Sequence, residues 1–227
     1  MRMRRKKHLD DRMEACDDLM INMPIGNRHF GATEEQHLLD LPALFGRERP
    51  VELEIGCGKG GFICELAARR PETDFLAVEK YGNVLVTACE AVRARGLTNV
   101  RFLWGDAEYL PRFLPAHSLS RLYLNFSTPY PKKQQATHRL THGHFLQLYR
   151  GLLQPGAAIE QKTDDRGLCQ FSLEQYSAAG YTLRHVSLDL HAEQAKYPDN
   201  IVTEYESRFV AQGLPIYRLE ATAPKGD

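Results

Sequence analysis

A chain of 227 residues, 43% of them hydrophobic and 26% charged, is long enough for one sizeable core and excludes a disordered or fibrous protein. The 29 basic and 29 acidic residues cancel, so any nucleic-acid binding must come from a local basic patch. Because the N-terminus is charged and no apolar run reaches membrane length, we expect a cytoplasmic protein with a single domain over 1–227. Five scattered cysteines without zinc-type spacing predict reduced thiols and no metal site.

The N-terminal residues 1–22 begin with a basic run and then turn acidic. One interpretation is a solvated tail that leads into a helix, and the other is a basic arm that contacts phosphates. Residues 23–49 contain several prolines and glycines, which predicts an irregular segment before the first strand.

Residues 51–70 have the pattern of a strand, a glycine-rich turn and a helix. Apolar residues alternate over 51–55, and those over 62–70 have helical spacing. The turn contains Gly56, Gly58, Gly60 and Gly61. Glycines allow the backbone to approach a ligand closely, and the following helix N-terminus presents free N–H groups. This segment therefore predicts a site for a nucleoside cofactor.

Acidic residues narrow the choice of cofactor, since the glycine spacing also fits a dinucleotide fingerprint. Glu54 lies two residues before the first glycine, where an anion is unfavourable beside a pyrophosphate but suits the amino group and sulfonium of S-adenosylmethionine. Glu79 ends the next predicted strand, 74–79, and can accept hydrogen bonds from both ribose hydroxyls. Asp106 follows a third strand, either as an acceptor for the adenine amino group or as a helix N-cap or turn aspartate.

Helices and strands alternate regularly through the rest of the chain. The predicted helices are 81–95, 144–153, 167–179 and 203–211, and the predicted strands are 100–104, 119–125, 157–162, 181–190 and 215–219. Such repeats predict an α/β fold with a doubly wound, mainly parallel seven-stranded sheet and helices on both faces, a Rossmann-like fold. Ligands of such sheets bind at the carboxyl ends of the strands, where the polar loops fall.

The loop 126–133 combines two prolines, an aromatic residue and two lysines. The prolines restrict the backbone, Tyr130 offers a stacking face, and Lys132 and Lys133 offer positive charge. This combination suits a base that is turned out of its stack, together with its phosphates, although a rigid solvent loop is the alternative. Arg139 and three nearby histidines extend the basic surface, and the histidines are not predicted to bind metal.

Taken together, these motifs resemble the bacterial single-subunit tRNA (guanine-N7)-methyltransferases over essentially the whole chain. The segments that carry the resemblance are 54–61, 122–133, 139–141, 162–168, 189–191 and 203–209. The resemblance implies that S-adenosylmethionine is held by Glu54, Gly56, Gly58, Glu79, Asp106 and Thr128. It implies that Lys132, Asp164, Thr203, Glu204, Tyr205 and Glu206 face the substrate guanine, with Thr128 and Asp164 as catalytic residues. The product would be 7-methylguanosine at position 46 of the tRNA variable loop.

The loop departs from that family at two positions, because Thr128 stands where the family has an aspartate and Tyr130 where it has tryptophan. Guanine N7 has an in-plane lone pair and needs no general base, but the product purine is cationic. A carboxylate beside it is worth roughly 2–4 kcal/mol of transition-state stabilisation. Asp164 or Glu206 can supply that charge, so we expect an active, slower enzyme.

Two other functions remain open from the sequence. A tRNA-binding paralogue could have lost catalysis through Thr128 and act as a chaperone or scaffold, although a cofactor site would then serve no purpose. A methyltransferase for a small molecule or a protein would leave the basic proline loop unexplained. The sequence is compatible with a monomer or a homodimer, with tRNA as partner and no membrane.

Overall fold

The structure is a computed structural model that describes residues 7–21 and 37–224. The chain divides into two compact units, Met1–Pro115 and Ala116–Asp227. The predicted basic arm 1–22 lies partly outside the described residues, as does the part 23–36 of the predicted irregular segment 23–49. Within the described ranges, no helix has the length and apolar character that a membrane crossing requires.

The first unit alternates strands with helices. Its helices are α1 (Leu9–Glu14), α2 (Leu41–Phe45), α3 (Gly61–Arg69) and α4 (Gly82–Ala94), and its strands are β1 (Met20–Ile21), β2 (Val51–Ile55), β3 (Asp74–Glu79) and β4 (Val100–Trp104). A short 3₁₀ helix, Ala107–Arg112, follows β4. The strands lie in the order β1-β4-β3-β2, and every pairing is parallel. All residues of β2 and β3 are buried, as expected of parallel strands that are covered on both faces.

The second unit contains one parallel pair and two antiparallel pairs of strands. Its helices are α5 (Gly143–Leu152), α6 (Arg166–Ala178) and α7 (Glu204–Val210), and its strands are β5 (Leu119–Asn125), β6 (Leu153–Thr163), β7 (Thr182–Ser187) and β8 (Tyr217–Thr222). The strands lie in the order β5-β6-β8-β7, with β8 antiparallel to both of its neighbours. Gln161 and Ser172 hydrogen-bond between β6 and α6, in a buried layer.

The predicted α/β, mainly parallel fold class is confirmed. Parallel pairings outnumber antiparallel ones within the two units, and helices alternate with strands. The described residues contain eight strands where the sequence predicts seven. The additional strand is β1, a two-residue segment that pairs with Phe102 and Leu103 of β4. Two residues are too few for an alternating pattern, so the sequence carries no signal for it.

One element boundary differs from the prediction for a specific reason. Pro155 and Gly156 are predicted to stop a helix before a strand begins at 157, yet both lie inside β6. The pairing of β6 with β5 shifts there, since Leu119 is opposite Leu153 while Arg121 is opposite Ala158. Gly156 has φ +80°, so the two breaker residues sit in a bulge that the strand accommodates.

Candidate functional site

The glycine turn after β2 is built from left-handed backbone conformations. Gly56, Gly58 and Gly60 have φ of +79°, +59° and +84°. Backbone N–H groups of Gly56 and Cys57 donate to the carbonyl oxygen of Val78, at 2.8 and 3.1 Å, which fixes the turn to β3. A Cβ placed on Gly56 would have no heavy atom within 4 Å, so the outer side of the turn is open for a ligand.

Glu79 organises the carboxyl end of β3. Its Oε2 accepts from the N–H of Gly58 at 3.2 Å, and its Oε1 accepts from the N–H of Tyr81 at 3.0 Å. The side chain is buried, and each carboxylate oxygen has a second lone pair beyond these bonds. Glu79 therefore holds the glycine turn and retains acceptor capacity for a further donor.

Glu54 lies on β2 and is also buried, with 2% of its surface exposed. Burial is the largest cause that raises the pKa of the Cys57 thiol. The charges of the Glu54 and Glu79 carboxylates raise this pKa further. The two acids thus lie around the same thiol at one end of neighbouring strands. Two buried carboxylates in close proximity favour a cationic ligand.

Asp106 begins the 3₁₀ helix after β4, and its carboxylate accepts from the N–H of Glu108 at 3.3 Å. The N-cap role that the sequence offered as the alternative is therefore present. This hydrogen bond uses Oδ1 of Asp106, and the carboxylate has a second oxygen that can accept. The N–H of Gly105 donates to the carbonyl oxygen of Glu79 at 3.2 Å, so the ends of β3 and β4 are joined beside Asp106.

Neighbouring glycines of the turn allow a matched test of this local structure. A Cβ on Gly60 would lie 2.9 Å from the Cβ of Ala88, and its φ of +84° is unfavourable for any other residue. We expect Gly60→Ala to lower the free energy of unfolding by about 1–3 kcal/mol. Gly61 has ordinary backbone geometry and open space, so Gly61→Ala should leave stability unchanged or raise it by up to about 1 kcal/mol. Urea denaturation of both variants checks this, and equal destabilisation would contradict the close contact.

In the second unit, an arginine fixes the proline-lysine loop. The guanidinium of Arg139 donates to the carbonyl oxygens of Pro129, at 3.0 Å, and Tyr130, at 2.9 Å, and it lies 4.3 Å from the ring centre of Phe171. Tyr130 has φ +44°, and Phe126, at the start of the loop, has φ +52°. Non-glycine residues occupy this region only when their surroundings hold them, and strained backbone of this kind is concentrated at functional sites.

The side chains that the loop presents differ in accessibility. Thr128 and Lys132 are exposed, and Tyr130 is half-buried with its ring 5.5 Å from that of His138. Lys132 immediately precedes the 3₁₀ helix Lys133–His138. The fixed backbone therefore carries a hydroxyl, an aromatic ring and a cation on one short segment.

Asp164 and Tyr205 lie together with Phe126. The rings of Phe126 and Tyr205 are 5.0 Å apart, and the charge of Asp164 raises the pKa of Tyr205, for which burial is the larger cause. Burial is also the largest cause that raises the pKa of Asp164 itself. Tyr205 is 47% exposed, so a half-buried carboxylate stands beside an accessible aromatic face. That arrangement suits a flat base that becomes cationic.

Thr203 and Glu206, which are predicted to face the substrate guanine, lie at the start of α7. They form a capping box at the start of α7, in which the N–H of Glu206 donates to Oγ1 of Thr203 at 3.0 Å. Glu206 is fully buried and its Oε2 lies 2.7 Å from Nζ of Lys162. Both carboxylate oxygens accept protein hydrogen bonds, so the geometry gives Glu206 a structural role. Glu204 is exposed and pairs with Arg208.

The family model described as "Putative methyltransferase" matches residues 48–219 of this chain. A tRNA (guanine-N(7)-)-methyltransferase from Bacillus subtilis is 39% identical over 97% of this chain and 98% of its own length. Another from Lysinibacillus sphaericus is 44% identical over 78% of this chain and 82% of its own. The chain belongs to the tRNA (guanine-N7)-methyltransferase family. The resemblance read from its motifs is thereby confirmed.

Solved structures agree with this family at the level of the fold. The crystal structure of the 16S rRNA methyltransferase KamB aligns with a TM-score of 0.59 and 19% identity, covering 83% of this chain and 95% of that one. The fold is thus that of the Rossmann-like methyltransferases. S-adenosylmethionine is the cofactor of this enzyme class, and the open glycine turn beside the buried Glu54 and Glu79 fits it.

Two residues of this family member carry roles that sequence reasoning missed. Arg139 is interpreted from the sequence as part of a basic surface, but it holds the backbone of the proline-lysine loop. Lys162 has a fully buried ammonium group on β6. The sequence gives no local sign of this burial, because Glu160, Gln161 and Lys162 form the end of the predicted strand 157–162, where polar residues are common.

Proposed function

We propose that this enzyme transfers a methyl group from S-adenosylmethionine to N7 of a guanine in tRNA, at position 46 of the variable loop. Such a substrate implies a cytoplasmic enzyme. The observation that carries the proposal is the surface formed by Phe126, Asp164 and Tyr205 next to the fixed proline-lysine loop. The names of the relatives support the same reaction.

The reaction requires the protein mainly to position the guanine and to stabilise the charge that develops on it. When bound, S-adenosylmethionine supplies an electrophilic methyl group on a sulfonium. Guanine N7 has a free lone pair, so the protein has no proton to remove. Tyr205 can stack on the base, and Asp164 can stabilise the positive charge that spreads through the purine as the bond to N7 forms. Lys132 is suited to an adjacent phosphate.

The first unit would supply the cofactor contacts. Glu54 would face the amino and sulfonium groups, and Glu79 would accept from the ribose hydroxyls with its remaining lone pairs. Asp106 would accept from the adenine amino group with the oxygen that does not cap its helix. Gly56 and Gly58 would let the backbone approach the ligand. Thr128 remains a predicted neighbour of the reacting groups.

Transfer of labelled methyl groups to an unmodified tRNA transcript, followed by nucleoside analysis, tests this function. We expect 7-methylguanosine with the natural protein. Thr128→Asp should raise kcat/KM by about 30-fold, because a second carboxylate would stabilise the cationic purine. We expect no larger increase because position 128 is exposed, and solvent screens the charge there. Thr128→Asn, of similar shape and without charge, is the control and should not accelerate the reaction.

Each alternative function predicts a different outcome of the same experiment. A scaffold that has lost catalysis would give no product with the natural protein and product only with Thr128→Asp. A methyltransferase for another substrate would bind S-adenosylmethionine in a calorimetric titration and leave tRNA unmodified in both forms.

A further inference from the structure

Lys162 lies in the interior of the second unit, where an ammonium group is costly unless every donor is used. Its Nζ donates to Oε2 of Glu206 at 2.7 Å, to the carbonyl oxygen of Ile201 at 2.7 Å and to Oδ1 of Asn200 at 3.1 Å. The three hydrogens of the ammonium group therefore all have acceptors. All three acceptors belong to one short segment, residues 200–206.

The carboxylate of Glu206, which pairs with Lys162, has hydrogen-bond partners at both of its oxygens. Oε1 of Glu206 accepts from Nδ2 of Asn200 at 3.0 Å and lies 2.9 Å from Nε2 of His191. Oε2 of Glu206 accepts from the N–H of Thr203 at 3.4 Å, besides its bond to Lys162. Lys162 and Glu206 thus fix the segment 200–206, including the first turn of α7, to strand β6.

Lys162 also contacts Phe126, the residue whose ring packs against Tyr205. Its carbonyl oxygen accepts from the N–H of Phe126 at 2.8 Å, and its Nζ lies 5.9 Å from the centre of the Phe126 ring. Tyr205 directly precedes Glu206 in this segment, and its ring centre lies 5.0 Å from that of Phe126. Asp164 lies two residues after Lys162 in the chain. One residue therefore connects Phe126, Asp164 and Tyr205.

We propose that Lys162 is a positioning residue for methyl transfer, which sets the place of Tyr205 relative to Phe126 and Asp164 through its buried bonds to residues 200–206. This inference rests on the proposed function and goes beyond it, because Lys162 does not contact the substrate. Misplacement of a positioning surface by about 1 Å costs roughly 100-fold in rate. The role of Glu206 is then to hold Lys162 and not to contact guanine.

The test removes both charges together, because loss of one partner would leave the other charged and buried. Lys162→Met combined with Glu206→Gln keeps the volumes similar. We expect kcat/KM for tRNA to fall by about 10- to 100-fold and the Kd for S-adenosylmethionine, measured by calorimetry, to stay within about twofold. Hydrogen exchange of the amides of Glu206 and Ser207, which are bonded to Thr203, should become faster.

Glu206→Gln alone separates positioning from direct contact. A glutamine oxygen can still accept from Lys162 but leaves the buried ammonium group without a counter-charge, so this variant should be less stable than the double variant. If Glu206 acts through Lys162, the losses of tRNA activity in Glu206→Gln alone and in Lys162→Met alone should not add in the double variant. The exposed pair Lys196–Glu193, at 2.8 Å, is the matched control, and Lys196→Met with Glu193→Gln should change neither exchange nor activity. A third variant, Leu152→Ala, removes a buried side chain of α5 in the same unit, outside the segment 200–206, and should destabilise that unit.

The outcomes distinguish this inference from the proposed function. Wild-type exchange and activity in the Lys162/Glu206 double variant would overturn the inference. So would an equal loss of activity in Leu152→Ala at a matched Tm, or losses in Lys162→Met and Glu206→Gln that add in the double variant. Absence of 7-methylguanosine from the natural protein would overturn the proposed function instead, while faster exchange in the double variant would still establish that Lys162 orders the segment.

Discussion

Asp164→Asn should lower kcat/KM for tRNA by about 100- to 1000-fold, the effect of removing one preorganised electrostatic partner of a developing charge. The carboxylate of Asp164 is half-buried beside Tyr205, where its charge is less screened by water than on an open surface. Steady-state methyl transfer at saturating S-adenosylmethionine measures the effect, and the loss should appear mainly in kcat.

The neighbouring carboxylate provides the control for this prediction. Oδ1 of Asp165 accepts from the N–H of Leu168 at 2.6 Å and caps α6. Asparagine caps helices nearly as well as aspartate, so Asp165→Asn should retain activity within a few-fold. Similar losses in both variants would mean that the net charge of the loop matters and that Asp164 has no specific role.

Asp164→Asn should not destabilise the protein. Burial raises the pKa of Asp164, so the native state binds this proton more tightly than the unfolded state. The ionised carboxylate therefore lowers stability at pH values above its unfolded pKa of about 3.9, and the penalty vanishes as the pH falls below that value. Asp164→Asn should be at least as stable as the natural protein at pH 7, and thermal unfolding across pH 4–7 checks this.

Glu79→Ala should raise the Kd for S-adenosylmethionine by about 100-fold or more. Hydrogen bonds to a charged acceptor contribute roughly 1.5–3 kcal/mol each, and this carboxylate would lose those to the ribose hydroxyls. It would also release the N–H groups of Gly58 and Tyr81, which leaves the glycine turn less ordered. Titration calorimetry measures the affinity directly.

An acid near the other end of the same strand is the matched control. Glu72 precedes β3, is largely exposed and lies 3.6 Å from Arg70. Because such surface pairs contribute little, Glu72→Ala should leave the cofactor Kd unchanged within about twofold. An unchanged Kd in Glu79→Ala would remove Glu79 from the cofactor site.

Much of the first unit follows from local patterns. The strands 51–55, 74–79 and 100–104 are predicted to the residue, because short alternating or mainly apolar runs are bounded by glycine, proline or polar residues. The grouping of Glu54 with Glu79 follows from the rule that parallel strands end at the same edge. The bulge at Pro155–Gly156 could not be predicted, since a strand accepts two breaker residues only if its neighbour shifts register.

The sequence by itself determined the α/β class, the family and the acids at the strand ends, because these depend on hydrophobic periodicity, glycine spacing and short motifs that are local along the chain. Only the tertiary structure decided the roles of Arg139, Lys162 and Glu206. Lys162 lies 44 residues from Glu206, and whether a charged side chain is exposed or paired depends on such distant partners. A lysine in a strand and a glutamate in a helix give no local sign of a buried ion pair.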